Sequence, residues 1–186
     1  MDPARLFAFA PREIRLEIGF GGGEHLLARA SAEPDVGFLG CEFFLNGVAK
    51  ALAGIESAGL INVRVCSGDA RALIDLLPFA SLARIDMLYP DPWPKRRQVK
   101  RRIICDELVS ALAQLLRPGG EFRFASDIDD YVGWTLARVL AAREFGWIAQ
   151  DSRDWREPWS GWPSTRYEAK ARREGRSSTY LTFVRR

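Results

Sequence analysis

Histidine and cysteine, which supply most zinc ligands and many nucleophilic or acid–base groups, are scarce in this chain. Its 186 residues include one histidine, His25, and three cysteines. Cys41, Cys66 and Cys105 form no C-x-x-C pair, so we expect small hydrophobic residues in a reducing compartment. One histidine leaves little for a His-based triad or a zinc centre, and we predict no metal.

Long hydrophobic runs and a strong excess of charge are also missing. The apolar stretch LFAFA near the N-terminus is too short for the core of a signal peptide, and no run approaches the length of a membrane span. The formal net charge is only +3, so total charge alone does not indicate a nucleic-acid partner. We expect a cytoplasmic protein with no membrane partner, and no oligomeric state is predicted.

The composition that is present suits a globular domain. Hydrophobic residues make up 47% and charged residues 27% of the chain, which argues against disorder. The length favours a single domain over residues 1–186. Within it we expect a short N-terminal arm at 1–14 and a loop with a basic segment at 151–177.

Strand-like and helix-like segments alternate along the chain. Strands are predicted at 15–19, 36–42, 62–69, 83–90, 121–126, 146–150 and 178–186. Helices are predicted at 23–31, 43–59, 70–78, 103–120 and 129–145. This order predicts an α/β protein with a Rossmann-like, doubly wound, mainly parallel seven-stranded sheet and helices on both faces.

Acidic residues lie at the ends of the first five predicted strands, namely Glu17, Glu42, Asp69, Asp91 and Asp127. Aspartate is common at such positions as a turn or helix-cap residue. That explanation accounts poorly for all five, since two of them are glutamate. Ligands of open α/β sheets bind beyond the carboxyl ends of the strands, so we predict a shared polar site there.

The first strand runs into a glycine loop, LEIGFGGGEHLL, with glycines at Gly19, Gly21 and Gly23. The loop is either a tight turn without a ligand or a cofactor site. The dinucleotide fingerprint fails because Glu24 stands where its last glycine belongs. Glu17 in the preceding strand favours a cationic cofactor without phosphate, such as S-adenosylmethionine. Glu42 would then accept hydrogen bonds from the ribose hydroxyls, and Asp69 would meet the adenine amino group.

A stiff, basic stretch follows the fourth strand and reads YPDPWPKRRQVKRR. Its prolines predict extended backbone at Asp91 and Trp93. Trp93 either stacks on a base or braces the turn. The cations are typical of contacts with a phosphate backbone: Lys95, Arg96, Arg97, Lys100, Arg101 and Arg102. A second basic cluster comprises Arg166, Lys170, Arg172, Arg173 and Arg176.

With these motifs the chain resembles the bacterial tRNA (guanine-N7-)-methyltransferase family. The matching pieces are LEIGFGGGE, GCE, GDA, YPDPWPKRR with the later KRR, ASD and TRYEAKARREG. The resemblance implies the class I methyltransferase fold and methylation of a guanine in the tRNA variable loop. It also implies a cofactor site for S-adenosylmethionine with the three loop glycines, Glu17, Glu42, Asp69 and Asp91. Asp91 would be the catalytic residue, and substrate contacts would come from Lys95, Asp127, Thr165, Arg166, Tyr167 and Glu168.

This sequence departs from the family pattern at three places. Gln98 and Val99 stand where relatives often have His-Asn, and Arg166 and Tyr167 occupy a segment that often contains lysine. The arm before the first strand is short, which would weaken binding if the arm holds tRNA or covers the cofactor.

Some roles stay open from the sequence. Asp91, Asp127 and Glu168 are equal candidates for bonding guanine N1–H and its amino group. His25 is expected to be a surface or hydrogen-bonded residue, and Trp155, Trp159 and Trp162 to pack beneath a loop rather than form a lid. Rival functions are methylation of a nucleobase amino group, NAD-dependent oxidation, and RNA binding without catalysis.

Overall fold

The predicted alternation of strands and helices is present in the computed structural model, which describes residues 2–186. Met1, the first residue of the predicted arm, lies outside the described residues. The strands are β1 Ile14–Ile18, β2 Gly37–Glu42, β3 Val63–Ser67, β4 Leu82–Leu88, β5 Leu116–Ser126, β6 Phe145–Trp147 and β7 Thr179–Arg185. The helices are α1 Glu24–Ala32, α2 Leu45–Ala58, α3 Ala70–Leu76, α4 Asp106–Leu115, α5 Asp129–Ala141, α6 Arg153–Arg156 and α7 Arg166–Arg173. Short 3-10 turns cover Pro3–Leu6 and Arg96–Arg101.

The strands form one seven-stranded sheet in the order β3-β2-β1-β4-β5-β7-β6. Neighbours from β3 through β5 pair in parallel, whereas β7 is antiparallel to both β5 and β6. The prediction of a mainly parallel, doubly wound sheet is therefore confirmed. The chain order reverses between β1 and β4, which makes the carboxyl ends of these two strands the expected place for a ligand.

Apolar side chains cover both faces of the sheet. On one face Leu16, Ile85 and Phe124 pack with Leu112 of α4 in the larger core. On the other, Phe38 packs with Leu26 of α1 and Val48 of α2. This two-sided packing explains why β1, β2 and β4 are buried along their whole length rather than alternating.

The predicted helix 103–120 is too long. Helix α4 ends at Leu115, and β5 already begins at Leu116, which pairs with Leu82 across a bulge. Pro118 has no backbone N–H to continue the helix, and Gly119 adopts a φ of 78°. The predicted loop at 151–164 also contains α6, one helical turn.

The N-terminal arm packs at the amino ends of the strands. Phe7 is buried in the larger core beside Ile14, and a Cβ on Gly37 would lie 2.8 Å from its ring. Nε of Arg64 donates to the carbonyl of Leu6 at 2.7 Å. The arm therefore lies at the edge of the sheet opposite the carboxyl ends.

Candidate active site at the carboxyl edge of the sheet

A cavity of about 670 Å³ opens at the carboxyl ends of β1, β2 and β4. Four of the predicted cofactor residues line it: Gly19, Glu42, Asp69 and Asp91. Its volume lies within the range of small-molecule and cofactor sites. The structure thus brings residues from four separate loops to one pocket at the topological switch point.

The glycine loop needs its glycines. Gly19, Gly21 and Gly23 have φ values of 74°, 58° and 85°, in the left-handed region that other residues rarely adopt. The buried Glu42 carboxylate accepts hydrogen bonds from Gly21 N and Phe44 N, each at 2.8 Å. Glu42 therefore fixes the loop from below while it lines the cavity.

Asp69 acts as a helix cap and also lines the cavity. Its carboxylate accepts a hydrogen bond from Arg71 N at 2.9 Å, at the start of α3. The side chain stays exposed to the cavity. The cap and the predicted ligand contact are thus compatible, because a carboxylate has more than one acceptor site.

The proline turn around Asp91 is bounded by two left-handed residues. Tyr89 and Trp93 have φ values of 51° and 40°, so the extended conformation predicted for Trp93 is wrong. The following proline chiefly disfavours the right-handed helical region. The left-handed turn lays the Trp93 indole against the Arg101 guanidinium, 3.9 Å from the ring centroid. Such backbone costs of order 1–3 kcal/mol per residue and is often found at functional sites.

The Asp91 carboxylate is exposed in this turn and lines the cavity. It has no hydrogen-bond or ion-pair partner anywhere in residues 2–186. The other four strand-end acids all have a partner within the protein. Among the five strand-end acids, Asp91 is therefore the one whose carboxylate has no partner within the described protein, so all of its acceptor sites are available to a bound molecule.

Glu17 does not line the main cavity and is instead paired with His25. The Glu17 carboxylate and His25 Nδ1 are 2.7 Å apart, and both side chains are buried. Burial alone lowers the pKa of His25, but the charge and hydrogen bond of Glu17 outweigh it and raise that pKa above its ordinary value. Of the two predicted possibilities for His25, the structure therefore shows the buried, hydrogen-bonded one and not a surface residue.

Comparison with known proteins defines the family. Residues 11–181 match the family model Methyltransf_4, described as "Putative methyltransferase". The chain is 55% identical over 183 residues to a tRNA (guanine-N(7)-)-methyltransferase of Nitrobacter winogradskyi, covering 98% of this chain and 71% of the relative. A protein of the same name from Chelativorans sp. is 54% identical over 97% of this chain and 78% of its own length. The chain belongs to the tRNA (guanine-N(7)-)-methyltransferase family.

Solved structures agree with the fold. The 16S rRNA methyltransferase KamB superposes with a TM-score of 0.67 at 19% identity, over 95% of this chain and 89% of that one. Precorrin-6y C5,15-methyltransferase from Geobacter metallireducens superposes with a TM-score of 0.62 at 10% identity, over 99% of this chain and 86% of that one. The class I methyltransferase fold implied by the sequence is confirmed.

The cavity fits the S-adenosylmethionine that this family and fold imply. Its carboxylates, Glu42, Asp69 and Asp91, suit the hydroxyls, amino group and positive charge of that molecule. Apolar walls from Ile18, Phe43 and Met87 suit its adenine ring. Burial raises the pKa of the Cys41 thiol in the cavity wall to about 12, so this cysteine is a neutral lining residue. No cluster of metal-ligating side chains occurs in the described part of the chain.

The family's T-x-x-E segment forms the start of α7, a helix that the sequence did not predict. Thr165 caps it, since its Oγ1 accepts from Glu168 N at 3.2 Å. The fully buried Glu168 carboxylate accepts from Trp162 Nε1 at 2.9 Å and from Tyr180 OH at 2.7 Å, and it pairs with Arg172. Burial favours a raised pKa for Glu168, but these donors prevail and lower it.

Of this segment, Tyr167 reaches the main cavity. Its ring stacks parallel to Tyr89 with centroids 6.3 Å apart. Thr165 and Glu168 instead hold α7 in place, so the geometry favours a positioning role for both over the predicted substrate contact. The signal that could have identified this helix is the capping box T-x-x-E itself.

Asp127 is also engaged within the protein. Its carboxylate accepts from Arg176 Nε at 2.7 Å, and Arg176 also pairs with Glu174. Asp127 does not line the main cavity. Asp127 and Asp91 therefore do not share this cavity.

The basic run divides into exposed and buried cations. Lys95, Arg96, Arg97 and Lys100 are exposed, and Arg101 lines the cavity. The phosphate contact predicted for Arg102 is wrong, because this side chain is buried. Its Nε donates to Pro92 O at 2.8 Å, its guanidinium lies 4.9 Å from the Tyr131 ring centroid, and it pairs with Asp130.

The tryptophans after β6 pack as predicted. Trp155 contacts Trp147 with ring centroids 5.3 Å apart, and Trp159 contacts Tyr180 at 5.3 Å. Trp162 packs on Tyr180 and on His25, at 5.7 and 5.1 Å. These contacts join the segment before α7 to the sheet.

Proposed function

We propose that the protein transfers the methyl group of S-adenosylmethionine to N7 of a guanine in the variable loop of tRNA. The observation that carries the proposal is the unpartnered Asp91 carboxylate in the cavity, at the end of the strand next to the glycine loop. Membership of the tRNA (guanine-N(7)-)-methyltransferase family supports the reaction and the substrate.

Three residues of the cavity are suited to hold the cofactor. Glu42 retains free lone pairs that can accept from the ribose hydroxyls, and Asp69 can accept from the adenine amino group. Gly19 leaves the floor of the cavity without a side chain. When bound, S-adenosylmethionine supplies an electrophilic methyl group on its sulfonium.

The guanine needs positioning more than acid–base help. N7 carries an in-plane lone pair at neutral pH, so the protein has no proton to remove and the scarcity of histidine is no obstacle. Alignment of two reactants can contribute roughly 7–11 kcal/mol to lowering a barrier. The stiff turn around Asp91 serves this purpose, because its two left-handed residues and three prolines restrict the carboxylate.

Asp91 is the acid that we assign to the guanine. Asp127 and Glu168 are already bonded to protein donors, so Asp91 is left to accept from guanine N1–H and its amino group. The same carboxylate offsets the positive charge that the ring acquires on methylation. Tyr89 and Tyr167 add aromatic faces at this end of the cavity.

The exposed cations around the cavity are suited to the tRNA backbone. We assign phosphate contacts to Lys95, Arg96, Arg97 and Lys100, and on α7 to Lys170 and Arg173. No helix in residues 2–186 is both long and apolar enough to cross a membrane. We propose that the enzyme acts in the cytoplasm, where tRNA is modified.

The test is incubation of the protein with methyl-labelled S-adenosylmethionine and unmodified tRNA, followed by digestion and nucleoside analysis. We expect label in 7-methylguanosine. Label in an N-methylated amino nucleoside would favour the amino-group alternative, and tRNA binding without any label would favour a non-catalytic protein. Calorimetry that detects NAD binding but no S-adenosylmethionine binding would favour the oxidoreductase.

A further inference from the structure

A second cavity, of about 230 Å³, lies between the start of α2 and the start of α7. Its outer walls are formed by Phe44, Asn46, Lys50, Arg166 and Tyr167. Phe44, Tyr167 and Glu42 also line the main cavity, so the two spaces adjoin. The proposed reaction makes no use of this groove.

An exposed aromatic ring stands at the mouth of the groove. Phe44 is 67% exposed, and it packs edge-to-face on Phe43, which is 68% exposed. Large apolar rings that stay in water beside a binding cavity mark an interaction surface. Unpaired RNA bases stack on such rings irrespective of their sequence, because every base has a π face.

The charges of the groove suit a phosphate at its rim. Lys50 has no hydrogen-bond or ion-pair partner in the part of the chain that is described. Arg166 lies 3.7 Å from Glu24, but both side chains are about 40% exposed (43% and 40%), and such a pair is weak. The acid on the floor, Glu42, is buried and bonded to two backbone N–H groups. Cations therefore face outward while the acid is covered.

We propose that this groove holds the nucleotide adjacent to the target guanine in the RNA chain. Its base stacks on Phe44, the Asn46 amide meets the base edge, and Lys50 and Arg166 hold the phosphate. The Tyr167 ring separates this nucleotide from the guanine, because it forms a wall of both cavities. The inference rests on the proposed function, since it takes RNA as the substrate.

The test combines a protein variant with an RNA variant. Phe44→Ala removes the stacking ring, and Phe79→Ala is the control, since Phe79 is 75% exposed in the loop after α3. We expect Phe44→Ala to lower kcat/KM for tRNA roughly 5- to 150-fold, the scale of one stacked base, while S-adenosylmethionine affinity stays within about twofold. Phe44→Trp should restore activity, and Phe79→Ala should behave as wild type.

Abasic tRNAs then identify the stacked base. With an abasic residue placed on one side of the target guanine, the activity of the wild-type protein should fall by the factor that Phe44→Ala causes on intact tRNA. On this abasic tRNA, Phe44→Ala should cause no further loss. An abasic residue on the other side should leave the effect of Phe44→Ala intact. Because the effect of Phe44→Ala depends on which base is missing, the comparison separates base stacking from a general weakening of the protein.

Several results would overturn the inference. Undiminished activity of Phe44→Ala, or equal losses on intact and on both abasic RNAs, would exclude base stacking at Phe44. A parallel loss of S-adenosylmethionine affinity would assign the ring to the cofactor site instead. If the wild-type protein methylates no guanine in tRNA, the proposed function fails, and the groove loses its ligand with it.

Discussion

Replacement of Glu42 by alanine tests how the glycine loop and the cofactor site depend on one side chain. The Glu42 carboxylate accepts from Gly21 N and Phe44 N at 2.8 Å each and lines the cavity. Alanine removes both hydrogen bonds and the acceptor that we assign to the ribose. Gly21 N lies in a buried environment, where an unsatisfied donor is costly, whereas water can reach the partly buried Phe44 N.

The size of the effect follows from these contacts. Loss of the ribose acceptor costs about 1–3 kcal/mol, which raises the Kd for S-adenosylmethionine roughly 5- to 150-fold. The orphaned Gly21 N–H costs a further 1–3 kcal/mol or so, which we expect to appear as a lower free energy of unfolding. Glu42→Gln keeps the shape but has one acceptor oxygen, so its losses should be intermediate.

Isothermal calorimetry with S-adenosylmethionine and denaturant unfolding measure the two effects separately. The matched control is Glu56→Ala, since Glu56 is an exposed acid near the other end of α2. If Glu42→Ala binds S-adenosylmethionine within about twofold of wild type, Glu42 is not the ribose acceptor and the cavity is misassigned.

Three further predictions concern the reaction, the RNA and acid stability. Asp91→Asn should fold and bind tRNA but lose methyl transfer at least about a hundredfold, the usual scale for one electrostatic group; a near-wild-type rate would reduce the carboxylate to a turn former. Neutralisation of the four exposed cations of the basic run, Lys95, Arg96, Arg97 and Lys100, should reduce the steepness of log affinity for tRNA against log salt by roughly 0.7–0.9 per lost phosphate contact. An unchanged slope would place the RNA elsewhere on the protein. Burial favours a raised pKa for Glu33, but hydrogen bonds from Arg15 and Arg29 prevail and lower it from 4.5 to about 2. Glu33 therefore stabilises the fold above pH 4.5 and loses this contribution as the pH falls toward 2. The free energies of unfolding of Glu33→Gln and wild type should converge over that pH range. A difference that stays constant with pH would contradict the assignment.

The elements that sequence patterns predicted correctly are those governed by local chemistry. The glycines of the first loop have the left-handed backbone that glycine tolerates best. Strands β1 to β4 occur within two residues of their predicted bounds, because buried parallel strands are short apolar runs bounded by turn residues. Glu42, Asp69 and Asp91 meet in one cavity because parallel strands end at the same edge.

The errors arose where distant parts of the chain decide a residue's role. A run of cations does not reveal that Tyr131 and Asp130 of α5 lie behind Arg102 and bury it. Nor does a motif reveal that Trp162 and Tyr180 both donate to Glu168. The groove beside Phe44 was also missed, although two consecutive phenylalanines directly after a strand-end acid are visible in the sequence.

The atom that receives the methyl group provides the most direct test of the proposed function. Two otherwise identical tRNAs would be compared, one with guanosine and one with 7-deazaguanosine at the variable-loop target, each with labelled S-adenosylmethionine. 7-Deazaguanosine keeps the N1–H and the amino group but replaces N7 by carbon, so it should still bind Asp91. We predict methylation of the guanosine tRNA, no methylation of the 7-deaza tRNA, and inhibition by the latter. Equal methyl incorporation into both tRNAs would contradict the proposal that N7 of this guanine is the acceptor.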